Sequence, residues 1–459
     1  MHFSNIIFFA LNIFHIILVS TSSIETQTGT FVKFKIALFN EFNLISFLLA
    51  FGIVSVQIIL SYLVLFRKFR KSQLVLITKE GLDEKSNDTI LKDLRIDPSK
   101  LYEWVHTLAA EQNIKSVRRI YLSDTSIPNA LTLDVLPLPF IRRSWIVLDA
   151  NVLEILEERE IKAVISHELG HVKRFDGIVN LFRFGTNFLV LTTYAFFIVS
   201  IIYHIIADKP PTALDIALKI AYLLVFLFII YILTIINHIL MNFSRRQSEL
   251  IADYYAAEKV GRNHIINALV LLGQRLDVIS AFGTEFKWLG SLEGKENLTR
   301  EFIQGLKTLP PSEMSRKISK EKAVSIYVSQ RLKNIRDDLF VPFTDDQIND
   351  LTKESSEKLL KLREKYDQNG YSLKREIDNE LHKLTIDWLL VDKDQDMYLK
   401  DNEIDSLIKT IKNNPEKELF EEEINRKRTV LGYDHPSIKQ RILFLYFSHE
   451  KETEHTNID

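Results

Sequence analysis

Long apolar stretches alternate with strongly charged ones along this chain of 459 residues. Residues 44–66 carry no formal charge, and the ranges 188–206 and 220–240 are similarly apolar. Each is long enough to cross the roughly 30 Å hydrocarbon core of a bilayer as a helix. Residues 5–20 form a shorter apolar run, which fits a first transmembrane helix or a secretory signal; we favour the helix because no lysine or arginine precedes it. The pattern predicts four transmembrane helices in two hairpins.

Basic residues predict how these helices are oriented, because lysine and arginine near span ends prefer the cytoplasmic side. In a four-span arrangement the basic residues next to the spans all fall on one side: the cluster 67–71, Lys173, Arg174, Arg183, Arg245 and Arg246. We therefore expect a multi-pass membrane protein with these basic residues on the cytoplasmic side. The segments that follow the second and fourth spans would lie in the cytoplasm.

The segment between the second and third spans has the pattern of a compact α+β unit. Asp97 and Pro98 are a typical helix start, and apolar residues then recur at helical spacing. Short apolar runs at 119–122 and 145–148 predict strands, joined by the proline-containing segment 127–140. A small sheet of this kind offers an edge to which an extended peptide can bind through its backbone. The expected fold class is a mainly α integral membrane protein with a cytoplasmic α+β domain.

This unit also contains an H-E-x-x-H sequence, His167-Glu168-Leu169-Gly170-His171. Apolar residues around it repeat at helical spacing, so the motif is predicted to lie on an amphipathic helix. Two histidines four residues apart share a helix face and can bind one zinc ion, while Glu168 is placed to act as a general base on a water. Gly170 would let another backbone come close. The motif predicts a zinc-dependent hydrolase, although an accidental match is the alternative for the bare pattern.

A catalytic zinc site needs a third protein ligand, and a second predicted helix supplies a candidate. This helix follows the fourth span and ends at Gly261, and Glu249 and Asp253 share one of its faces. Glu249 is the expected third ligand, and Asp253 is expected to orient a ligand histidine through its other ring nitrogen. The alternative is an exposed acidic face paired with Arg245 and Arg246.

Together these features resemble the HtpX and prenyl-CAAX-protease family of integral-membrane zinc gluzincins. The resemblance also includes residues 128–132, Asp176 and the segment 435–442. It implies that His167, His171 and Glu249 bind zinc, that Glu168 is the catalytic base, and that Asp253 supports the site. It further implies that Asn129 and Ala130 bind substrate along an edge strand, and that His435 is catalytic through stabilisation of the transition state. Asp434 is a departure, because Thr or Ser commonly precedes the His-Pro pair in that family.

A charged region lies outside the resemblance, at residues 276–430, and is interpreted as a helical insertion. Helical periodicity is clear in 323–339 and 345–366, the latter with a Thr344/Gln347 capping box. Residues 392–403 resemble one EF-hand loop with helix-like flanks at 376–390 and 403–411. A calcium ion there would be bound by Asp392, Asp394, Asp396, Tyr398 and Glu403. Met397 stands where such a loop favours glycine, so an acidic turn between surface helices is an equal alternative.

The chain is accordingly divided into six segments: a membrane hairpin (1–71), a first protease part (72–185), a second hairpin (186–240), a second protease part (241–275), the insertion (276–430) and a C-terminal motif with a polar tail (431–459). The net charge of −2 argues against nucleic acid as a partner. The absence of cysteine excludes thiolate ligands, so histidine and carboxylate must bind the zinc.

Together with the resemblance, these observations predict a membrane-bound zinc endopeptidase of a bacterial inner (plasma) membrane. The resemblance implies that it hydrolyses membrane or misfolded proteins at the cytoplasmic face. Its partners would be protein substrates and the lipid bilayer. Two alternatives stay open: a prenyl-CAAX-type processing protease, against which the four predicted spans argue, and a non-enzymatic, calcium-responsive membrane adaptor with a vestigial protease core.

Overall fold

The computed structural model describes residues 22–26, 32–36, 74–83, 94–123, 128–136, 142–177, 213–292, 319–339, 342–368, 384–421, 423–424 and 435–456, with the single positions 44, 48, 52, 56, 59, 63 and 198. The predicted span 5–20 lies outside these residues. So does most of 44–66 and of 188–206, whose described positions are helical.

The strands are β1 (Ser22–Thr26), β2 (Val32–Ile36), β3 (Leu74–Thr78), β4 (Gly81–Leu82), β5 (Val117–Ser123), β6 (Ala130–Leu136) and β7 (Arg143–Asp149). The helices are α1 (Pro98–Glu111), α2 (Ala150–Ile155), α3 (Glu158–Lys173), α4 (Ala213–Val260), α5 (Arg262–Leu292), α6 (Lys320–Leu339), α7 (Asp345–Gln368), α8 (Asp401–Asn413) and α9 (Ile438–Thr456).

The chain divides into two compact units. The first comprises 1–73, 134–143 and 174–249, and the second comprises 74–133, 144–173 and 250–459. Within the first, β1 and β2 form an antiparallel pair. The division at 249/250 falls inside helix α4.

The larger sheet has the strand order β4-β3-β5-β7-β6. The β3 strand pairs antiparallel with β4 and β5, and β5 pairs parallel with β7. The two strands predicted from apolar runs are therefore confirmed as parts of β5 and β7. The β6 strand lies at one edge of this sheet.

Local sequence chemistry explains the helix that was predicted before these strands. The side chain of Asp97 accepts a hydrogen bond of 2.9 Å from the backbone N–H of Ser99, and Pro98 occupies the first turn of α1. Its apolar stripe, including Leu101 and Val105, is fully buried in the core of the second unit. The helix prediction is confirmed at this end.

The fourth predicted span and the predicted helix with Glu249 turn out to be one element. Helix α4 runs without interruption for 48 residues and ends at Gly261, whose φ of 110° suits glycine. Large apolar side chains along its first part are exposed, among them Leu224, Phe228 and Ile239. Among the described residues, Leu227–Val260 is the one helical stretch long and apolar enough to cross a membrane.

The charged region after residue 275 is only partly an addition to this core. Helix α5 continues across 275/276, and buried residues of the segment 386–420, such as Trp388 and Phe420, belong to the same hydrophobic core as the sheet and α3. Helices α6 and α7 occupy the positions expected from periodicity. The capping box is present, because Thr344 and Gln347 exchange backbone-to-side-chain hydrogen bonds of 3.0 and 3.3 Å.

One predicted flank of the acidic loop is wrong where the structure describes it. Residues 384–387 are not helical, and Trp388–Leu390 forms a single 3₁₀ turn instead of the end of a helix. The backbone here pairs with Glu418, which donates to Leu384 at 2.9 Å and accepts from Ile386 at 2.8 Å. These tertiary hydrogen bonds replace helical ones, since each N–H and C=O group can be satisfied either way. The other flank, 403–411, lies within α8 as expected.

Candidate metal centre

Helix α3 presents the two histidines of the H-E-x-x-H sequence from consecutive turns. Its apolar stripe, which includes Ile161, Ile165 and Leu169, is completely buried and fixes the rotation of the helix. As a result, the Nε2 atoms of His167 and His171 approach to 3.2 Å, with the rings edge to face. Both nitrogens therefore point at one location.

Glu249 completes a group of three potential metal ligands. One ligand atom from each of His167, His171 and Glu249 can be chosen so that all three lie within 4.8 Å of one another. Tetrahedral zinc with Zn–N distances of about 2.0–2.1 Å places its nitrogen ligands roughly 3.3 Å apart. The separation of the two Nε2 atoms fits that value, and two imidazoles with a carboxylate form a typical catalytic zinc donor set.

A buried carboxylate holds the first of these histidines by its other nitrogen. Nδ1 of His167 lies 2.9 Å from Oδ1 of Asp253, whose side chain has no exposed surface. A hydrogen bond there leaves Nε2 of His167 as the nitrogen that can bind metal. This is the geometry expected for Asp253 from the sequence.

Arg441 balances the charge of Asp253. Its Nε and Nη2 atoms donate to the two carboxylate oxygens at 2.7 and 2.5 Å, and Nη2 also lies 3.5 Å from Nδ1 of His167. A bidentate guanidinium–carboxylate pair is strong and directional. Sequence reasoning assigned Arg441 no role, although a fully buried aspartate requires a positive partner, and the C-terminal motif contains this arginine.

Glu168 is held from the edge strand. The hydroxyl of Thr132 on β6 lies 2.9 Å from Oε2 of Glu168 and 3.1 Å from its backbone oxygen. Glu168 itself is buried, with 6 % of its surface exposed. Thr132 belongs to the segment that carried the family resemblance but had been given no function. This contact holds one carboxylate oxygen of Glu168.

Close packing at Gly170 holds α3 against α4. A Cβ atom added to Gly170 would lie 3.0 Å from Cα and 3.3 Å from Cβ of Ala252, which is closer than ordinary van der Waals contact. The small residue between the histidines thus allows α4 to approach α3 closely at Ala252, the residue before Asp253. This confirms the expected close backbone approach.

The residues directly before Glu249 are held by the segment after α3. The guanidinium of Arg174 lies 3.4 Å from the backbone oxygen of Gln247 and 3.3 Å from that of Ser248, and the Ser248 hydroxyl contacts the Asp176 carboxylate. Asp176 was part of the family resemblance. These contacts restrain the turn of α4 that carries Glu249.

Three further predicted site residues lie at the start of β6 or just before α9. Asn129 is exposed just before β6, and its backbone oxygen accepts a hydrogen bond of 2.9 Å from Asp149. Ala130 is the first residue of the edge strand. His435 is exposed, three residues before α9, and does not belong to the ligand group identified among the described residues. The roles of Asn129, Ala130 and His435 stay predictions.

Comparison with known protein families identifies this region. Residues 97–312, which contain both histidines and Glu249, match the model of peptidase family M48. This part of the chain is therefore similar to the M48 peptidases. The resemblance to HtpX-like zinc metallopeptidases is thereby confirmed, and the predicted enzyme class, a metallopeptidase, agrees with it.

Curated proteins are similar to this chain over limited stretches. The protease HtpX homolog of Burkholderia thailandensis is 33% identical over 81 residues, which are 18% of this chain and 27% of that protein. Protease HtpX homolog 1 of Sulfolobus acidocaldarius is 25% identical over 165 residues, or 34% of this chain and 48% of that protein. The chain thus spans less than half the length of the curated relatives it matches.

Proposed function

We propose that this chain is a membrane-bound zinc endopeptidase that hydrolyses peptide bonds of membrane or misfolded proteins at the cytoplasmic face. The observation that carries the proposal is the convergence of the His167, His171 and Glu249 ligand atoms. Two histidines and one carboxylate are the donor set that would hold a catalytic zinc ion.

A zinc ion held by these three residues would supply a Lewis acid for the activation of a water molecule near neutral pH. Glu168 accepts the proton as the water oxygen forms a bond to the carbonyl carbon. It then delivers that proton to the amine nitrogen as the C–N bond breaks. Thr132 holds one oxygen of Glu168, and Asp253 with Arg441 holds His167 in the tautomer that binds metal.

The edge position of β6 supports an extended peptide as substrate. A peptide added beside an edge strand is bound mainly through backbone hydrogen bonds, so many sequences can be accepted. Thr132 lies on this strand and contacts Glu168, the proposed base, which supports a substrate position along the strand. We therefore propose that Asn129 and Ala130 bind the substrate backbone. His435 is proposed to stabilise the transition state.

Membrane attachment is proposed from the sequence and from α4. The exposed apolar surface of its first half suits lipid, and its second half carries Glu249 and Asp253. One continuous helix would thus connect the membrane to the metal centre. Substrates near the cytoplasmic membrane surface would be the most accessible.

The substitution Glu168→Gln tests the proposal. We expect the detergent-purified variant to retain one zinc per chain but to lose casein cleavage by at least about 100-fold, because a general base contributes roughly 10²–10⁴-fold. Glu158→Gln is the matched control, since Glu158 is an exposed glutamate on the same helix. Zinc content is measured by elemental analysis, and a chelator should abolish wild-type cleavage reversibly.

Two results would contradict the assignment. Cleavage by Glu168→Gln at the wild-type rate would exclude Glu168 as the base. Zinc binding without any cleavage by the wild-type chain, over a broad set of unfolded and membrane substrates, would favour the adaptor alternative.

A further inference from the structure

The acidic loop Asp392–Glu403 gathers carboxylates away from the proposed zinc centre. One oxygen from each of Asp392, Asp394 and Glu403 can be chosen so that all three lie within 4.8 Å of one another. Asp392 and Glu403 are each only 3% exposed. Burial raises the pKa of Asp392 above its ordinary value, and the nearby Asp396 and Glu403 carboxylates add to the effect. Ionised carboxylates gathered in this way repel each other, and either a shared proton or a shared cation relieves the repulsion.

One carboxylate oxygen of Asp392 has no hydrogen-bond donor among the described residues. Its Oδ2 accepts a hydrogen bond of 3.0 Å from the backbone N–H of Met397. Its Oδ1 is buried, and no group in the described part of the chain donates a hydrogen bond to it. A buried carboxylate oxygen without a partner is costly, because it loses hydration and gains nothing in exchange. This observation is independent of the number of acidic residues in the loop.

The loop is closed by backbone hydrogen bonds. Glu403, in the first turn of α8, accepts from the backbone N–H of Lys393 at 2.9 Å and of Lys400 at 3.0 Å. Met397 adopts the positive φ of 64° that glycine would favour at this place, so its side chain does not prevent the turn. The departure seen in the sequence at Met397 is accommodated.

The core of the second unit also holds the loop. The side-chain amide of Asn267 on α5 bonds both the N–H and the C=O of Leu399, at 2.6 and 2.9 Å. The Tyr398 hydroxyl lies 3.1 Å from Nδ1 of His264. Leu399 is completely buried. The loop is therefore largely formed in advance, which lowers the ordering cost of binding an ion.

Lys400 supplies a cation from within the loop. Its ammonium contacts the Asp394 carboxylate and lies 3.3 Å from Oδ2 of Asp396. The Lys400 side chain is half exposed, so it can leave for solvent at little cost. It serves the two outer carboxylates but is not a partner of Oδ1 of Asp392.

We propose that this loop binds a calcium ion through the carboxylates of Asp392, Asp394, Asp396 and Glu403 and the backbone oxygen of Tyr398, and that the Lys400 ammonium competes with the ion. Calcium prefers six to eight oxygen ligands, which carboxylates and a backbone carbonyl can provide. Lys400 then sets the affinity, because the ion must displace it from Asp394 and Asp396. The loop responds to calcium only above a concentration fixed by this competition.

Terbium luminescence on the zinc-loaded, detergent-purified full chain tests the proposal. Terbium replaces calcium, and Tyr398 in the loop sensitises its emission. We expect one site from which calcium displaces terbium. Lys400→Met should bind calcium at least about tenfold more tightly, because a competing positive charge is gone. Lys393→Met is the matched control: it removes an exposed lysine from the same loop and should change affinity less than about threefold.

Two removals of carboxylate complete the design. Asp392→Asn and Asp394→Asn should each weaken calcium binding by at least about tenfold. Asp394 is exposed, so its variant keeps the fold even if a change at the buried Asp392 does not. Absence of calcium-displaceable emission from both wild type and Lys400→Met would overturn the site. Equal affinities of Lys400→Met and Lys393→Met would overturn the competition. Neither result bears on the peptidase proposal, because no proteolysis is measured.

Discussion

Removal of the Arg441 guanidinium should damage the metal centre although Arg441 is not proposed to bind the metal. Asp253 lies at zero exposure between Arg441 and His167, and both of its oxygens accept from Arg441. In Arg441→Met the Asp253 charge stays buried without the guanidinium that balances it. Breaking a buried ion pair in this way costs about 3–5 kcal/mol.

The loss should appear in two quantities. The unfolding midpoint should fall, and zinc affinity should drop about 10–100-fold, because Asp253, which orients the His167 ring, loses the guanidinium that holds it in place. Arg441→Lys should recover part of both losses, since it restores the charge without the bidentate geometry. Arg118→Met, an exposed arginine on β5, is the control and should leave both quantities near wild type.

Zinc affinity is measured by competition with a chromophoric chelator, and stability by thermal unfolding in detergent. The double variant Asp253→Asn with Arg441→Met should lose less than the two single variants together, because the unpaired charge is gone. Wild-type zinc affinity in Arg441→Met, with an unchanged midpoint, would refute the reasoning from Asp253 to His167.

Two further predictions concern α3. Gly170→Ala should lower zinc affinity, because its Cβ would lie 3.0 Å from Cα of Ala252 and push α4 away; overpacking costs about 1–3 kcal/mol against roughly 1 kcal/mol gained in helix propensity. Chelator competition checks this, and unchanged affinity would contradict it. Burial raises the pKa of Glu160 from 4.5 to about 7, so its contribution to stability is present below pH 4.5 and is lost as pH rises through about 7. Glu160→Gln should therefore be more stable than wild type by up to about 3 kcal/mol at pH 8, but not near pH 4.5. Thermal unfolding across that pH range measures the difference. A difference independent of pH would argue against the prediction.

Local sequence was sufficient to predict the elements that depend only on neighbouring residues. The cap at Asp97, the strands within β5 and β7, and the capping box at Thr344 all follow from local chemistry and were found where expected. The helix predicted up to Leu390 failed because backbone pairing with Glu418 competes with helical hydrogen bonds, and that partner lies 28 residues beyond Leu390. Local propensity contains no information about such a contact.

The sequence by itself determined the identity and spacing of the chemical groups: two histidines one helical turn apart, a glutamate between them, and Glu249 and Asp253 one turn apart on a later helix. Helical periodicity converts such spacing directly into a shared face. Only the tertiary structure decided which groups from distant segments meet. It brought Arg441 to Asp253 and Thr132 to Glu168, and it placed Asn267 beneath the acidic loop. Those contacts depend on the packing of elements more than 30 residues apart, which burial of the common core decides and local sequence does not encode.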